Sequence, residues 1–391
     1  MRDNIEIRRV GSEQYVELMD VLDESFGFKF QSEGIVPFIR LLPKLYKEQY
    51  RPWDNNICVV EDGRIKAAVG LYYSAMRVCG ETLRVGGIGN VAVLPDERRK
   101  GYMKAAMCAS VDEMKGNGTD FCFLDGQRQR YRYFGFDCAG YVRFFFIHSS
   151  NIYHTYGEDC AVPLSVEPIT AENIDADFIL SLYNRNPVRT ERDPAALYDI
   201  LCSWDNTPFY LCRDGRRVGY FVSGDAGLAD GYVNEFAVAD ESDIPDAIRT
   251  LTLSMKKKEL ELDVPVWDEA LIGHLSEISA MQRLREAQKI SIYNYRNTLN
   301  AFLKYKALET PLPDCSATVL IHGERCDERL LLSVKNGVCC VEETDAPLQI
   351  ELTHTEATAF FFGMNCVRRR EAGAFAACLP LPIPVMGQDH V

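Results

Sequence analysis

The sequence predicts an α/β protein with α+β character: two tandem copies of one mixed-sheet unit, followed by a smaller α+β domain. Three observations carry this. The chain has 391 residues, more than one hydrophobic core usually supports. A segment near the middle echoes one near the start. From about residue 291 the pattern changes again.

The elements follow from periodicity. Residues 5–9 read as a strand. Tyr15, Leu18, Met19 and Leu22 then recur at helical spacing within 12–24, with Ser12 placed to cap the helix. Phe38, Leu41, Leu42 and Leu45 predict a second helix within 35–50. The period then shortens. Ile57-Cys58-Val59-Val60, the turn Glu61-Asp62-Gly63-Arg64 and residues 67–73 make a hairpin. Residues 83–93 supply one or two more strands, stopped by Pro95. A helix over 101–115 turns Met103, Ala106, Met107 and Val111 inward, and 120–124 is a strand after the breaker Gly116-Asn117-Gly118.

The echo begins at Phe209-Tyr210-Leu211-Cys212-Arg213-Asp214-Gly215-Arg216, which repeats the pattern of 57–64. Phe236-Ala237-Val238-Ala239-Asp240 repeats that of 91–95, and a helix over 242–256 repeats that of 101–115. The basic loop that precedes the first helix does not recur. After it come a helix over 298–306, strands at 317–322, 329–334, 338–341 and 348–352, and a short helix at 355–362. The expected domains are 1–155, 156–290 and 291–391.

Composition excludes several classes of function. A net charge of −14 argues against nucleic-acid or anionic-membrane partners, which require a basic surface. It suits a cationic substrate such as an amine. The fourteen cysteines form no CxxC and sit mostly in apolar runs, which predicts reduced thiols in a cytoplasmic setting. No apolar leader opens the sequence, and its apolar stretch at 372–386 is broken by Pro380, Pro382 and Pro384. The histidines His148, His154, His274, His322 and His354 show no metal-binding spacing, so no metal is expected.

One loop carries chemistry. A strand ending at Pro95, then Arg98-Arg99-Lys100, then Gly101 opening a helix is suited to hold a phosphate. Unsatisfied backbone N–H groups and the positive helix end point outward there, and glycine lets an anion approach closely. The bland alternative is a solvated basic turn capping a helix. There is no GxxxxGK[ST], and no GxGxxG follows a strand. Gly86-Gly87-Ile88-Gly89 precedes strand rather than helix, so it reads as a bend or a close packing contact.

Val91-Ala92-Val93-Leu94-Pro95-Asp96-Glu97-Arg98-Arg99-Lys100-Gly101 resembles the acyl-CoA loop of the GNAT superfamily of N-acetyltransferases. With Met107 and Tyr131-Arg132-Tyr133-Phe134-Gly135-Phe136, the wider pattern resembles the Eis-like branch, whose members modify aminoglycosides or other amines. That resemblance implies two tandem GNAT-like domains and a C-terminal domain similar to sterol carrier protein.

It further implies acetyl-CoA as acyl donor and particular residue roles. Val91, Ala92 and Val93 line the pantetheine arm, and the backbone of Arg98, Arg99, Lys100, Gly101, Tyr102 and Met103 holds the pyrophosphate. Tyr131 matches the general acid that protonates the departing thiolate; without the motif it would read as a packed tyrosine. The position five before it, often serine in the family, is Gly126, which removes a cofactor hydrogen bond. The carboxylate of Val391 corresponds to the family's base, with Asp389 and His390 as nearby alternatives. Glu24, Phe26 and Phe28 fall where the substrate cleft begins, and they are equally readable as packing or surface positions.

The expectation is direct attack of an amine (aminoglycoside-like, polyamine-like or a lysine side chain) on the thioester in a ternary complex, because no nucleophile motif suggests an acyl-enzyme. The resemblance leaves a homo-oligomer open. The alternative from another class is a non-catalytic acyl-CoA or lipid-binding sensor or carrier.

Overall fold

The computed structural model describes residues 4–27, 37–224, 228, 231–384 and 387–391. They divide into two compact units. The first joins 1–140 to 288–383 and Val391, and the second joins 141–287 to 384–390.

The sheet of the first unit begins with β1 (Ile5–Arg8), β2 (Asn56–Glu61), β3 (Arg64–Val78) and β4 (Glu81–Val93), each antiparallel to the one before. β5 (Phe121–Leu124) then lies parallel to β4, and residues 289–292 lie antiparallel to β5. The helix α1 (Tyr15–Gly27) buries Leu18, Val21 and Leu22 along one face. The helix α2 (Tyr102–Gly116) buries Ala106, Met107, Val111 and Met114 against the sheet residues Val69, Ile88 and Leu124.

The second helix expected within 35–50 is not continuous. Described from residue 37, it is two single turns, Phe38–Leu41 and Pro43–Tyr46, followed by a 3-10 turn at Glu48–Tyr50. Pro43 has no N–H to give the preceding turn, and Leu42 leaves the helical region at φ −132°, ψ 64°. The strands of the hairpin are longer than their apolar cores suggested, because β3 and β4 stay paired out to Val78 and Glu81.

Within the same unit, Asp327–Lys335 lies between Val338–Glu343 and Cys315–His322, and Ile350–Thr353 completes the sheet parallel to the last of these. The helix Tyr295–Glu309 and the short helix His354–Phe361 accompany it. A capping box between Thr353 and Glu356 fixes the start of the short helix.

The second unit repeats the connectivity of the first. The hairpin Thr207–Arg213 and Arg216–Ser223 is followed by Tyr232–Val238, antiparallel to the second hairpin strand and parallel to Glu259–Val264. The helix Ile244–Ser254 fills the crossover, as α2 does. Its start carries Glu241, Asp243, Pro245 and Asp246, with Arg213 paired to both aspartates, where the first unit has arginines and a glycine.

Residues 387–390 belong to this second unit. Buried Arg192 pairs through Nε with Asp389 at 2.8 Å and through Nη2 with Glu235 at 2.6 Å, while Tyr183 donates to Asp389 at 2.8 Å. The indole N–H of Trp204 donates to the His390 carbonyl at 3.3 Å. Among the described residues, no helix is long and apolar enough to cross a membrane.

Candidate active site

The site forms where β4 parts from β5. Their parallel pairing ends at Ile88↔Leu124, while β4 continues to Val93. On its other edge β4 keeps β3, through an irregularity. Gly89 pairs with Gly70 and Ala92 with Ala68, so Asn90 and Val91 together face Val69 alone. This is a β-bulge, which bends a strand and leaves main-chain groups outside the ladder.

Asn90 holds the bulge at φ 20°. Tyr46 donates to its side-chain oxygen, and its amide donates to Asn56 Oδ1 at 2.8 Å. Asn56 in turn donates to the Pro52 carbonyl at 2.8 Å and reaches the Tyr72 hydroxyl at 3.5 Å. Gly70 makes room, since a Cβ there would lie 2.0 Å from Asn90 Oδ1. Burial pushes the Tyr46 and Tyr72 hydroxyls well above their ordinary values, so both remain neutral. The sequence reading missed this network. The available signal was the asparagine itself, which tolerates such backbone angles better than most residues.

Val93 leads through Pro95–Glu97 into the basic loop. Arg99 adopts φ 69° and Gly101 φ 90°. Left-handed residues at these two positions turn the backbone sharply, as loops that present N–H groups to an anion do. The first helical bond of α2 runs from Ala105 N–H to Gly101 O at 3.0 Å, so the N–H groups of Tyr102, Met103 and Lys104 have no helical acceptor. Space above Gly101 is open, with no atom within 4 Å of where a Cβ would stand. The loop residues therefore fit a pyrophosphate.

Their side chains divide the work. Arg98 donates to the Ser25 carbonyl at 3.3 Å. Arg99 is exposed and, among the described residues, no ion pair is formed by it. The Lys100 ammonium is held by Glu97, which also binds Lys66 at 3.0 Å. Those two lysines hold the Glu97 carboxyl below its usual range. The Tyr102 side chain turns inward to the core with Met107 and Leu124, leaving its N–H at the loop. Ala92 is buried, while Val91, Val93 and Met103 are half-buried at the rim of the same core.

Tyr131 closes the short turn Arg128–Tyr131 and is 6% exposed, packed in the core that holds Tyr102, Leu124 and Phe136. Burial raises its hydroxyl above the ordinary 10.0, against the opposing pull of Arg130. Gly126 lies directly beneath: at φ 131°, a Cβ there would meet Tyr131 Cε2 at 2.5 Å. Serine at this position is incompatible with the ring where it stands, so glycine is a steric requirement of the tyrosine.

Val391 rests against β4. A Cβ on Gly87 would be 2.6 Å from Val391 Cγ2, and one on Gly89 would be 3.3 Å from its carboxyl carbon and 3.5 Å from the Tyr72 ring. The glycine run lies within β4 rather than before a strand, and at Gly87 and Gly89 it is a close-packing contact that accommodates the terminal residue. Asp389 is occupied by Arg192 and Tyr183 within the second unit.

Phe26 packs edge-on against Phe38, with centroids 5.0 Å apart, and Glu24 is exposed on the last turns of α1. Phe28 lies outside the described residues. Among the described residues, no cluster of His, Cys, Asp or Glu could hold a metal ion.

The acetyltransferase (GNAT) domain family matches residues 6–139, the span that contains the bulge, the basic loop and Tyr131. The chain therefore carries a GNAT acetyltransferase domain and is a transferase. A GCN5-related N-acetyltransferase from Anabaena variabilis superposes with a TM-score of 0.65 at 14% identity, over 94% of this chain and 92% of its own. Eis1 from Mycobacterium abscessus gives 0.60 at 16% identity over 97% and 99%, and a probable N-acyltransferase from Enterococcus faecalis gives 0.64 at 12% over 97% of both chains. At these identities the likeness is one of fold. No curated protein matches the chain.

Replacing Gly126 by serine should displace the Tyr131 ring and destabilise the protein by about 1–3 kcal/mol, since an overpacked core must shift backbone or rotamer. Urea denaturation measures this; an unchanged midpoint would show that the ring has room to move.

Proposed function

We propose that this protein is an N-acetyltransferase that moves an acetyl group from acetyl-CoA to an amine by direct attack in a ternary complex. The observation that carries the reading is the convergence, within one compact unit, of the open anion-binding loop, the bulged strand, Tyr131 and the Val391 carboxyl group. The reading assigns this chemistry to the Eis-like branch and to a cytoplasmic setting, with residues 291–391 as a sterol-carrier-like domain.

Acetyl-CoA supplies the activated acetyl thioester. The N–H groups at 99–103 and the Arg99 guanidinium hold its pyrophosphate, combining a helix N-terminus with charge-assisted hydrogen bonds. The main chain of Val91 and Val93, released from β5, binds the pantetheine arm and polarises the thioester carbonyl. The Val391 carboxylate takes the proton from the incoming amine. Tyr131 gives its proton to the departing thiolate; its raised hydroxyl keeps that proton throughout the neutral range. Glu24 and Phe26 are assigned to the amine side of the site, and the net charge of −14 favours a cationic acceptor. Either a small molecule or a lysine side chain meets these requirements.

Arg99→Ala should weaken acetyl-CoA binding roughly tenfold, the worth of one charge-assisted hydrogen bond to phosphate, and calorimetric titration measures it. An unchanged affinity places the pyrophosphate elsewhere.

Tyr131→Phe should lower kcat on the order of a hundredfold, with acetyl-CoA affinity intact, as followed by thiol release across an amine panel. Because the hydroxyl is raised, wild-type kcat should hold until the pH exceeds 10.0 and fall only beyond it, and that fall should vanish in the variant. Full turnover in the variant removes Tyr131 from the role of acid.

Two glycines appended after Val391 move the carboxylate off Gly89. This should reduce kcat while leaving the acetyl-CoA affinity unchanged; undiminished turnover excludes the carboxylate as base.

A further inference from the structure

The turn that carries Tyr131 is held from outside. His354, the first residue of the short helix His354–Phe361, is 6% exposed and reaches across to residue 135. Its Nε2 lies 2.9 Å from the Gly135 carbonyl oxygen and 3.1 Å from Ser291 Oγ, and its Nδ1 lies 2.9 Å from the Tyr295 hydroxyl.

These partners fix the tautomer. A carbonyl can only accept, so Nε2 carries the proton; Nδ1 of the neutral ring is then an acceptor, and it shares the Tyr295 hydroxyl with the His354 backbone carbonyl, also 2.9 Å from it. Burial holds the imidazole below its ordinary pKa, which keeps the ring neutral.

The Gly135 carbonyl belongs to the same peptide unit as the Phe136 N–H. That N–H donates to the Tyr131 carbonyl at 3.2 Å. One planar group is therefore gripped on both sides, by His354 at its oxygen and by Tyr131 at its nitrogen. Hydrogen bonds in series polarise one another, so each strengthens its neighbour. Gly135 permits the approach: it sits at φ 85°, and a Cβ there would stand 3.0 Å from His354 Nε2.

We propose that His354 is a positioning residue for acetyl transfer: by donating from Nε2 to the Gly135 carbonyl, it sets the turn that aims Tyr131. The inference rests on the reading of Tyr131 as the acid. It makes residues 288–383 part of the catalytic apparatus rather than an appended module.

The test is a double-mutant cycle in the full chain. His354→Leu removes the donor, whereas His354→Gln keeps an N–H near Nε2. Expected is about a tenfold loss of kcat in His354→Leu, with an unchanged calorimetric Kd for acetyl-CoA and substantial recovery in His354→Gln. In a Tyr131→Phe background, His354→Leu should cost nothing further. Full kcat in folded His354→Leu, or an equal loss in both backgrounds, overturns the proposal. If neither His354 variant folds, Tyr295→Phe decides: a smaller kcat loss confined to the Tyr131 background supports it, and no loss in a folded protein refutes it. Should Tyr131→Phe itself be fully active, it is the acid reading that fails.

Discussion

The bulge at Asn90 and Val91 is the constraint on which the site depends. β4 must stay in the ladder with β3, or the sheet loses its core; it must also leave β5, or its main chain has nothing to offer a ligand. An extra residue on one side of an antiparallel pair meets both requirements. The cost is an asparagine held at positive φ with its polar side chain buried, and the bonds from Tyr46 and to Asn56 offset it. Gly70 on the facing strand belongs to the same solution, because any side chain there would collide with the Asn90 amide.

Glycine does complementary work along the same strand. Gly87 and Gly89 remove the Cβ atoms that would bar Val391, so the carboxyl group comes to rest against bare backbone beside the Tyr72 ring. Gly126 and Gly135 do the same for Tyr131 and for the His354 contact. Four glycines thus define where two candidate catalytic groups lie.

The second unit illustrates the converse. It keeps the hairpin, the parallel crossover and the helix, all dictated by apolar periodicity, yet it has acidic residues and a proline where the first unit has arginines and a glycine. The fold survives because burial depends on the apolar face; the basic charge that would favour an anion at the helix start is not kept. In this unit the polar interior serves to hold residues 387–390, around the buried Arg192.

The sequence by itself determined the alternation of strands and helices, the repeat, the basic loop and the tyrosine motif. Each of these rests on spacing of 2 or 3.6 residues, or on side chains within one turn, and such short-range physics is written in adjacent letters. It overreached at 35–50, where apolar spacing ran through Pro43 and the missing N–H broke the helix. The tertiary structure alone decided the bulge network, the seat of Val391 on the glycines, and the His354 grip on Gly135. The His354 contact joins residues 219 positions apart and Val391 meets Gly87 across a still longer stretch of chain, and nothing local marks His354 for this role. Their energies come from burial and hydrogen-bond partners that exist only once the chain has closed on itself.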